Sequence, residues 1–218
     1  MKLKHRALTL LLSVAVLLAF TPVTAFASSG TVKMTGYDQV IKKGNIAYCA
    51  GTGGIYKVTL KKDKVKKIKC IVKNGVTFAP ESYQSAMRLK GNYLYYLQGG
   101  EGTGGSIQRI KTTGGKSKKL DYVPLSDNYY SYAIKGSKIY YFKYDYDVET
   151  DTIKTPKRVM NLNGKNKAKT SKKAVLKKKN SNTKGYSVVI QLDGNYYKDY
   201  LITPKGAFYL GEAESLLL

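Results

Sequence analysis

Four carboxylates alternate along one short stretch, Asp145, Asp147, Glu149 and Asp151 in KYDYDVETDT. Oxygen ligands at that spacing could converge on Ca2+, which prefers several of them. An EF-hand loop counted from Asp145 requires Gly at its sixth position and Glu at its twelfth, where Thr150 and Pro156 stand. On an extended hairpin the four acids would share one face and repel. The spacing therefore fits a solvated loop tip that answers nearby lysines better than a calcium cage. No other cofactor is implied.

Enzymatic constellations are hard to assemble from this chain. Its single histidine is His5, which falls in a leader segment. Without it, Ser-His and Cys-His nucleophile systems and the usual His-containing zinc sites are excluded. A carboxylate pair could still act as acid and base in glycoside cleavage, with Asp38, Asp127 and Asp193 as candidates near strand ends. Gly100 to Gly105 matches G-x-G-x-x-G, but the residues that follow, Ile107 to Leu120, carry strand period and two glycines rather than a helix. Gly115-Lys116-Ser117 mimics the end of a P-loop, yet Ile110 stands where its first glycine must be.

The dominant chemical signal is positive charge. The chain has 38 Lys and Arg against 14 Asp and Glu, a net charge of +24. Lysines concentrate in Lys61 to Lys69 and in the near low-complexity run KNKAKTSKKAVLKKKNSNTK, Lys165 to Lys184. Any one of these lysines is adequately explained as a solvated side chain. Summed over the chain they create a field that attracts polyanions. Lys61, Lys62, Lys66 and Lys67 in the first run, with Lys172, Lys173, Lys177, Lys178 and Lys179 in the second, are the candidate polyanion-binding residues.

The leader decides which polyanion is expected. Lys2, Lys4 and Arg6 form a basic n-region, Leu8 to Phe20 an apolar run, and Ala25-Phe26-Ala27 an A-x-A cleavage site. Residues 1–27 read as a signal peptide and 28–218 as one exported domain. Removing the three basic residues lowers the charge from +24 to +21. Partners then follow from the setting: an anionic cell-wall polymer, an acidic glycan or an anionic membrane surface, with no specific nucleic acid.

The elements that must position these groups repeat along the chain. Four Gly-led strands begin at Gly44, Gly91, Gly136 and Gly194, separated by 47, 45 and 58 residues. The clearest is Gly91-Asn92-Tyr93-Leu94-Tyr95-Tyr96. Leu94 and Tyr96 point one way and Tyr93, Tyr95 and Leu97 the other, so both faces of this strand are apolar or aromatic. A strand with one wet face would alternate more cleanly. Another short strand precedes each Gly. A third follows the glycine-rich loop, as in Ile55-Tyr56-Lys57-Val58 and Ile107-Gln108-Arg109-Ile110, and a fourth closes the unit. Units near 37–75, 83–123, 129–179 and 186–218 result. A period of this size and two buried faces predict an all-β, β-propeller-like fold of about four blades, each of four antiparallel strands. A β-sandwich is the alternative.

Gly-Asn-Tyr-Leu-Tyr-Tyr, then Ile-Gln-Arg-Ile-Lys, then a Gly turn and Leu120, resembles the Tyr-rich propeller repeats of a domain-of-unknown-function family common in secreted and envelope proteins of Gram-positive bacteria. The resemblance spans most of 37–218 and fades in unit four, where Lys198 and Asp199 replace the expected aromatics. It implies a propeller-like fold and an extracytoplasmic setting, and supplies no catalytic residues.

Three functional classes follow. The leading one is an exported, cationic, non-enzymatic binding or scaffold protein for anionic envelope polymers. The others are a carbohydrate-active enzyme using channel carboxylates, and a structural repeat fragment completed by a partner. Two further expectations are structural. Residues 31 to 35 should pair with the last unit, because an unpaired sheet edge invites aggregation. Cys49 and Cys70 should stay unbonded, because they fall two strands apart, about 9.5 Å.

Overall fold

The structure, a computed structural model, describes residues 31–32, 40–73, 87–99, 104–124, 132–171 and 183–214. In chain order the strands are β1 (Thr31–Val32), β2 (Val40–Lys43), β3 (Ile46–Ala50), β4 (Gly54–Lys61), β5 (Lys64–Lys73), β6 (Arg88–Lys90), β7 (Tyr93–Gly99), β8 (Gly104–Lys111) and β9 (Lys118–Pro124). They continue with β10 (Tyr132–Lys135), β11 (Lys138–Phe142), β12 (Asp145–Asp147), β13 (Thr152–Lys154), β14 (Lys157–Asn161), β15 (Ala168–Lys169), β16 (Ser187–Asp193), β17 (Tyr196–Thr203) and β18 (Gly206–Glu214).

These strands form four antiparallel four-stranded sheets and one small hairpin. Sheet I is β2-β3-β4-β5, sheet II β6-β7-β8-β9, sheet III β10-β11-β14-β15 and sheet IV β1-β16-β17-β18. The hairpin β12-β13 is inserted between β11 and β14. The protein is all-β, and none of the sheets closes into a barrel. Four separate sheets stand where a sandwich would have two.

One turn generates the repeat. Gly44, Gly91, Gly136 and Gly194 sit at φ of 59°, 58°, 60° and 58°. Each is followed by Asn or Ser outside the left-handed region, the type II′ pattern that suits a tight hairpin. Only Gly enters this first turn position without a Cβ penalty, which is why it recurs at the same hairpin of every unit.

Packing follows the two-faced strands. Leu94 and Tyr96 of sheet II bury against Tyr48, Ala50 and Ile55 of sheet I. Tyr95 and Leu97, on the other face, bury against Tyr132, Ile139 and Met160 of sheet III. Ala47, Cys49 and Val58 on the far face of sheet I meet Val188, Ile190 and Leu201 of sheet IV. The sheets thus pack in the order IV–I–II–III. Both faces of the two middle sheets are covered, and none of the three clusters spans III and IV. At roughly 25 cal/mol per Å2 of apolar area, these interfaces supply the main stabilisation.

The N-terminal strand joins the last sheet, with Thr31 opposite Gln191 and Val32 opposite Ile190. Residues 33–35 lie outside the described residues. The pairing is at the β16 edge, whereas β5, β9 and β15 complete their sheets at the opposite edge.

Cys49 faces Tyr56, which faces Cys70 across the next pair of strands, and both thiols are free. Cys49 is buried, while Cys70 is exposed on the edge strand β5. No helix among the described residues is long and apolar enough to cross a membrane.

Candidate anion-binding surface

The first lysine run folds into the β4–β5 hairpin at the free edge of sheet I. Lys61, Lys62, Lys66 and Lys67 are all exposed there. An edge strand carries unpaired backbone groups, and lysines along it keep other chains from pairing. These residues therefore have a structural use besides any binding. Among the described residues the ion pairs are Lys143–Asp145, Lys154–Asp147, Lys167–Asp121 and Lys198–Asp193, and none draws on this hairpin. Lys172, Lys173, Lys177, Lys178 and Lys179 lie outside the described residues, as does the signal segment, 1–27.

A second basic surface is built by strand register. Arg109 on β8 stands opposite Lys118 on β9, and Lys111 stands opposite Tyr93 on β7. Like charges directly opposite on neighbouring strands are destabilising. Here they surround a groove of about 470 Å3 walled by Tyr93, Arg109, Lys111, Lys116 and Lys118, with the Thr113-Gly114-Gly115 turn as its lip. No carboxylate lines it.

Several of these cations are held in place. The Arg109 guanidinium lies 4.4 Å from the centre of the Tyr93 ring and donates to the Leu162 carbonyl at 3.2 Å. The Lys118 ammonium donates to the Asn163 carbonyl at 3.3 Å, and Lys69 from sheet I reaches the Thr113 carbonyl at 3.2 Å. An arginine fork against an aromatic wall, with ammonium groups around it, can take a phosphate or carboxylate group. Composition pointed to the longer lysine runs instead. The signal for this groove was the Arg109, Lys111, Lys116, Lys118 spacing across a glycine turn.

The four acids of the calcium candidate do not line one face. Asp145 and Asp147 lie on β12, whereas Glu149 and Asp151 belong to its turn. Asp145 pairs with Lys143 at 3.3 Å. Asp147 Oδ2 takes the Lys154 ammonium at 2.6 Å, and Asp147 Oδ1 accepts the Glu149 and Thr150 backbone N–H groups. The Lys154 hydrogen bond, aided by these N–H groups, holds the Asp147 carboxyl below its usual range. Asp151 accepts the Tyr146 hydroxyl at 2.6 Å. Among the described residues no group of three or more His, Cys, Asp or Glu is placed to hold a metal ion.

The carboxylates considered for catalysis are dispersed. Asp38 and Asp127 lie outside the described residues, and Asp193 is on the surface, 2.5 Å from Lys198. Among the described residues the buried carboxylates are two that the sequence did not single out. Asp199 lies between sheets IV and I, and Asp121 between II and III. Asp199 was visible only as a break in the aromatic pattern of unit four. It accepts N–H groups from Thr52 and Gly53 and hydroxyls from Thr52 and Tyr56. Burial raises its pKa against those four bonds, which lower it. Its chemistry is that of a fastener between sheets.

No protein-family model matches the chain, and no curated protein matches its sequence.

Proposed function

We propose that this is an exported, cationic, non-enzymatic scaffold that binds anionic polymers of the cell envelope. The observation that carries the reading is the groove at Thr113–Gly115, where four cations converge without a carboxylate. The exposed lysines of the β4–β5 hairpin and the net charge of the exported domain, +24 less the three basic residues of the leader, or +21, extend the same field. The leader-like residues 1–27 and the resemblance to Tyr-rich repeats of Gram-positive envelope proteins support the setting. The four sheets then act as blades of a propeller-like body, with β1 tying the start of the domain to the last blade.

Binding of this kind is graded and salt-dependent, because the Debye length falls from about 10 Å at 0.1 M salt to about 3 Å at 1 M. The test is retention on an immobilised polyanionic wall polymer across a salt gradient. Lys116→Gln with Lys118→Gln should lower the eluting salt, and the five-fold change at Lys172, Lys173, Lys177, Lys178 and Lys179 to Gln should lower it further. Unchanged retention of both variants, or of the wild type at 1 M salt, would overturn the reading.

A further inference from the structure

A second, smaller cavity lies at the contact of sheets II and III, about 330 Å3 in volume and lined by Asp121, Tyr141, Lys143, Arg158 and Lys167. Three cations meet one carboxylate there. Asp121 is already engaged: its Oδ2 accepts the Tyr141 hydroxyl in a short hydrogen bond and lies 3.2 Å from the Lys167 ammonium, while its Oδ1 accepts the Tyr122 N–H at 3.0 Å. Lys143 leans out to Asp145 at 3.3 Å, at the rim.

Arg158 is the unusual member. It stands opposite Tyr141 on β11 and opposite Lys169 on β15, so one of its cross-strand neighbours is a like charge. Its Nε is buried and makes no hydrogen bond, and no other buried side-chain nitrogen or oxygen among the described residues is left so. A buried polar donor without a partner is destabilising, and more so when charged. Native proteins rarely leave such a group unless a water or ion completes it. The remaining positive charge around the cavity favours an anion over a water.

We propose that this cavity is a phosphate-binding subsite, in which Arg158, Lys143 and Lys167 hold one phosphate group of the polymer. The cations come from three different segments: the end of β11, strand β14 and the approach to β15. That arrangement suits a tetrahedral anion with several oxygens better than a planar carboxylate. Asp121, which accepts the Tyr141 hydroxyl, fixes Lys167 in place and bars a second anion from the same cavity. The inference rests on the polyanion reading but concerns a site separate from the Thr113–Gly115 groove.

Calorimetric titration of the protein with inorganic phosphate and with dimethyl phosphate tests it. With Lys116→Gln and Lys118→Gln in the background, which weakens the Thr113–Gly115 groove, a single saturable site is expected, and adding Arg158→Gln should weaken it at least tenfold. Dimethyl phosphate binding identifies the diester of a polymer or headgroup as the ligand; binding of inorganic phosphate alone identifies a free or terminal phosphate. Should Arg158→Gln fail to fold, Lys143→Gln with Lys167→Gln removes the two more exposed cations and should give the same loss. No saturable site for either probe, or an affinity unchanged in these variants, overturns the subsite: Arg158 Nε is then satisfied by water. Polymer retention measured alongside reports on the broader reading independently, since it can persist through the groove with the subsite absent.

Discussion

Asp199 of sheet IV and Gly53 of sheet I are joined by a buried hydrogen bond of 2.8 Å, although 146 residues separate them. The same carboxylate accepts the Thr52 N–H at 2.8 Å and the Tyr56 hydroxyl at 3.2 Å. A methyl group at Gly51 would fall on this carboxylate, and one at Gly53 on the Tyr56 hydroxyl. The glycine-rich loop of unit one, Gly51-Thr52-Gly53-Gly54, is therefore the receptacle for Asp199.

Asp199→Ala should destabilise the fold by about 3 kcal/mol or more, because it strands two N–H groups and a tyrosine hydroxyl away from water. Asp199→Asn should cost less and also change the pH dependence. Burial raises the Asp199 pKa, so its stabilising share is full below the unfolded value near 3.9 and is lost as pH rises through the folded value. Urea unfolding of both proteins checks this. The stability of the wild type relative to Asp199→Asn should fall as pH rises above about 4, and a difference independent of pH contradicts the assignment.

Buried tyrosines set the alkaline limit. Burial, then the Asp63 carboxylate, pushes Tyr186 up to about 12, and burial raises Tyr56 and Tyr141 further. A raised tyrosine contributes stability that is complete below the unfolded value near 10 and is lost as pH climbs through the folded one. Stability should therefore decline from about pH 10 upward. The chain has 20 Tyr and no Trp, so tyrosinate absorbance reads the titration without interference. A late group of tyrosines should ionise together with unfolding; one smooth transition near pH 10 with the fold intact would refute it.

The thiols should differ in reactivity. Cys49 is fully buried and burial raises its pKa, whereas Cys70 is exposed on β5. A thiol reagent should label one cysteine in the native protein and two after denaturation without reductant. Two fast native thiols would contradict the burial of Cys49. No thiols after denaturation would contradict the two-strand separation.

Local signals in this chain were legible and long-range ones were not. The Gly-led turn at Gly91 and the split of Leu94 and Tyr96 from Tyr95 and Leu97 follow from residue type and a period of two. So does the separation of Cys49 from Cys70, since it needs only strand order. Asp199 read as decay of the repeat, because nothing near it in sequence reveals its loop partner in sheet I. The Arg109–Lys118 juxtaposition depends on a bulge in the β8–β9 register between Ile107 and Gln108, which no pattern announces. The acids at Asp145 to Asp151 were placed on one extended face, and a turn capped by Asp147 disperses them.

The Lys62-Asp63 turn separates stability from binding. It closes the β4–β5 hairpin with Lys61 opposite Lys64, and both turn residues are left-handed, with φ of 49° and 63°. A residue with a Cβ pays about 1 kcal/mol there. Asp63 is compensated: its carboxylate accepts the Tyr186 hydroxyl, and its carbonyl accepts the Thr203 hydroxyl at 2.9 Å. Lys62 is exposed and has only its charge to contribute. Asn tolerates the left-handed region better than other residues with a Cβ, so Lys62→Asn should stabilise the protein by about 0.5–1 kcal/mol while removing one positive charge. Lys62→Ala removes the same charge and keeps the strain. Both variants should elute from an anionic polymer at slightly lower salt, and only Lys62→Asn should raise the unfolding midpoint. Equal midpoints would show that the turn is unstrained. Unchanged elution of both would remove Lys62 from the binding surface and leave the Thr113–Gly115 groove to carry it.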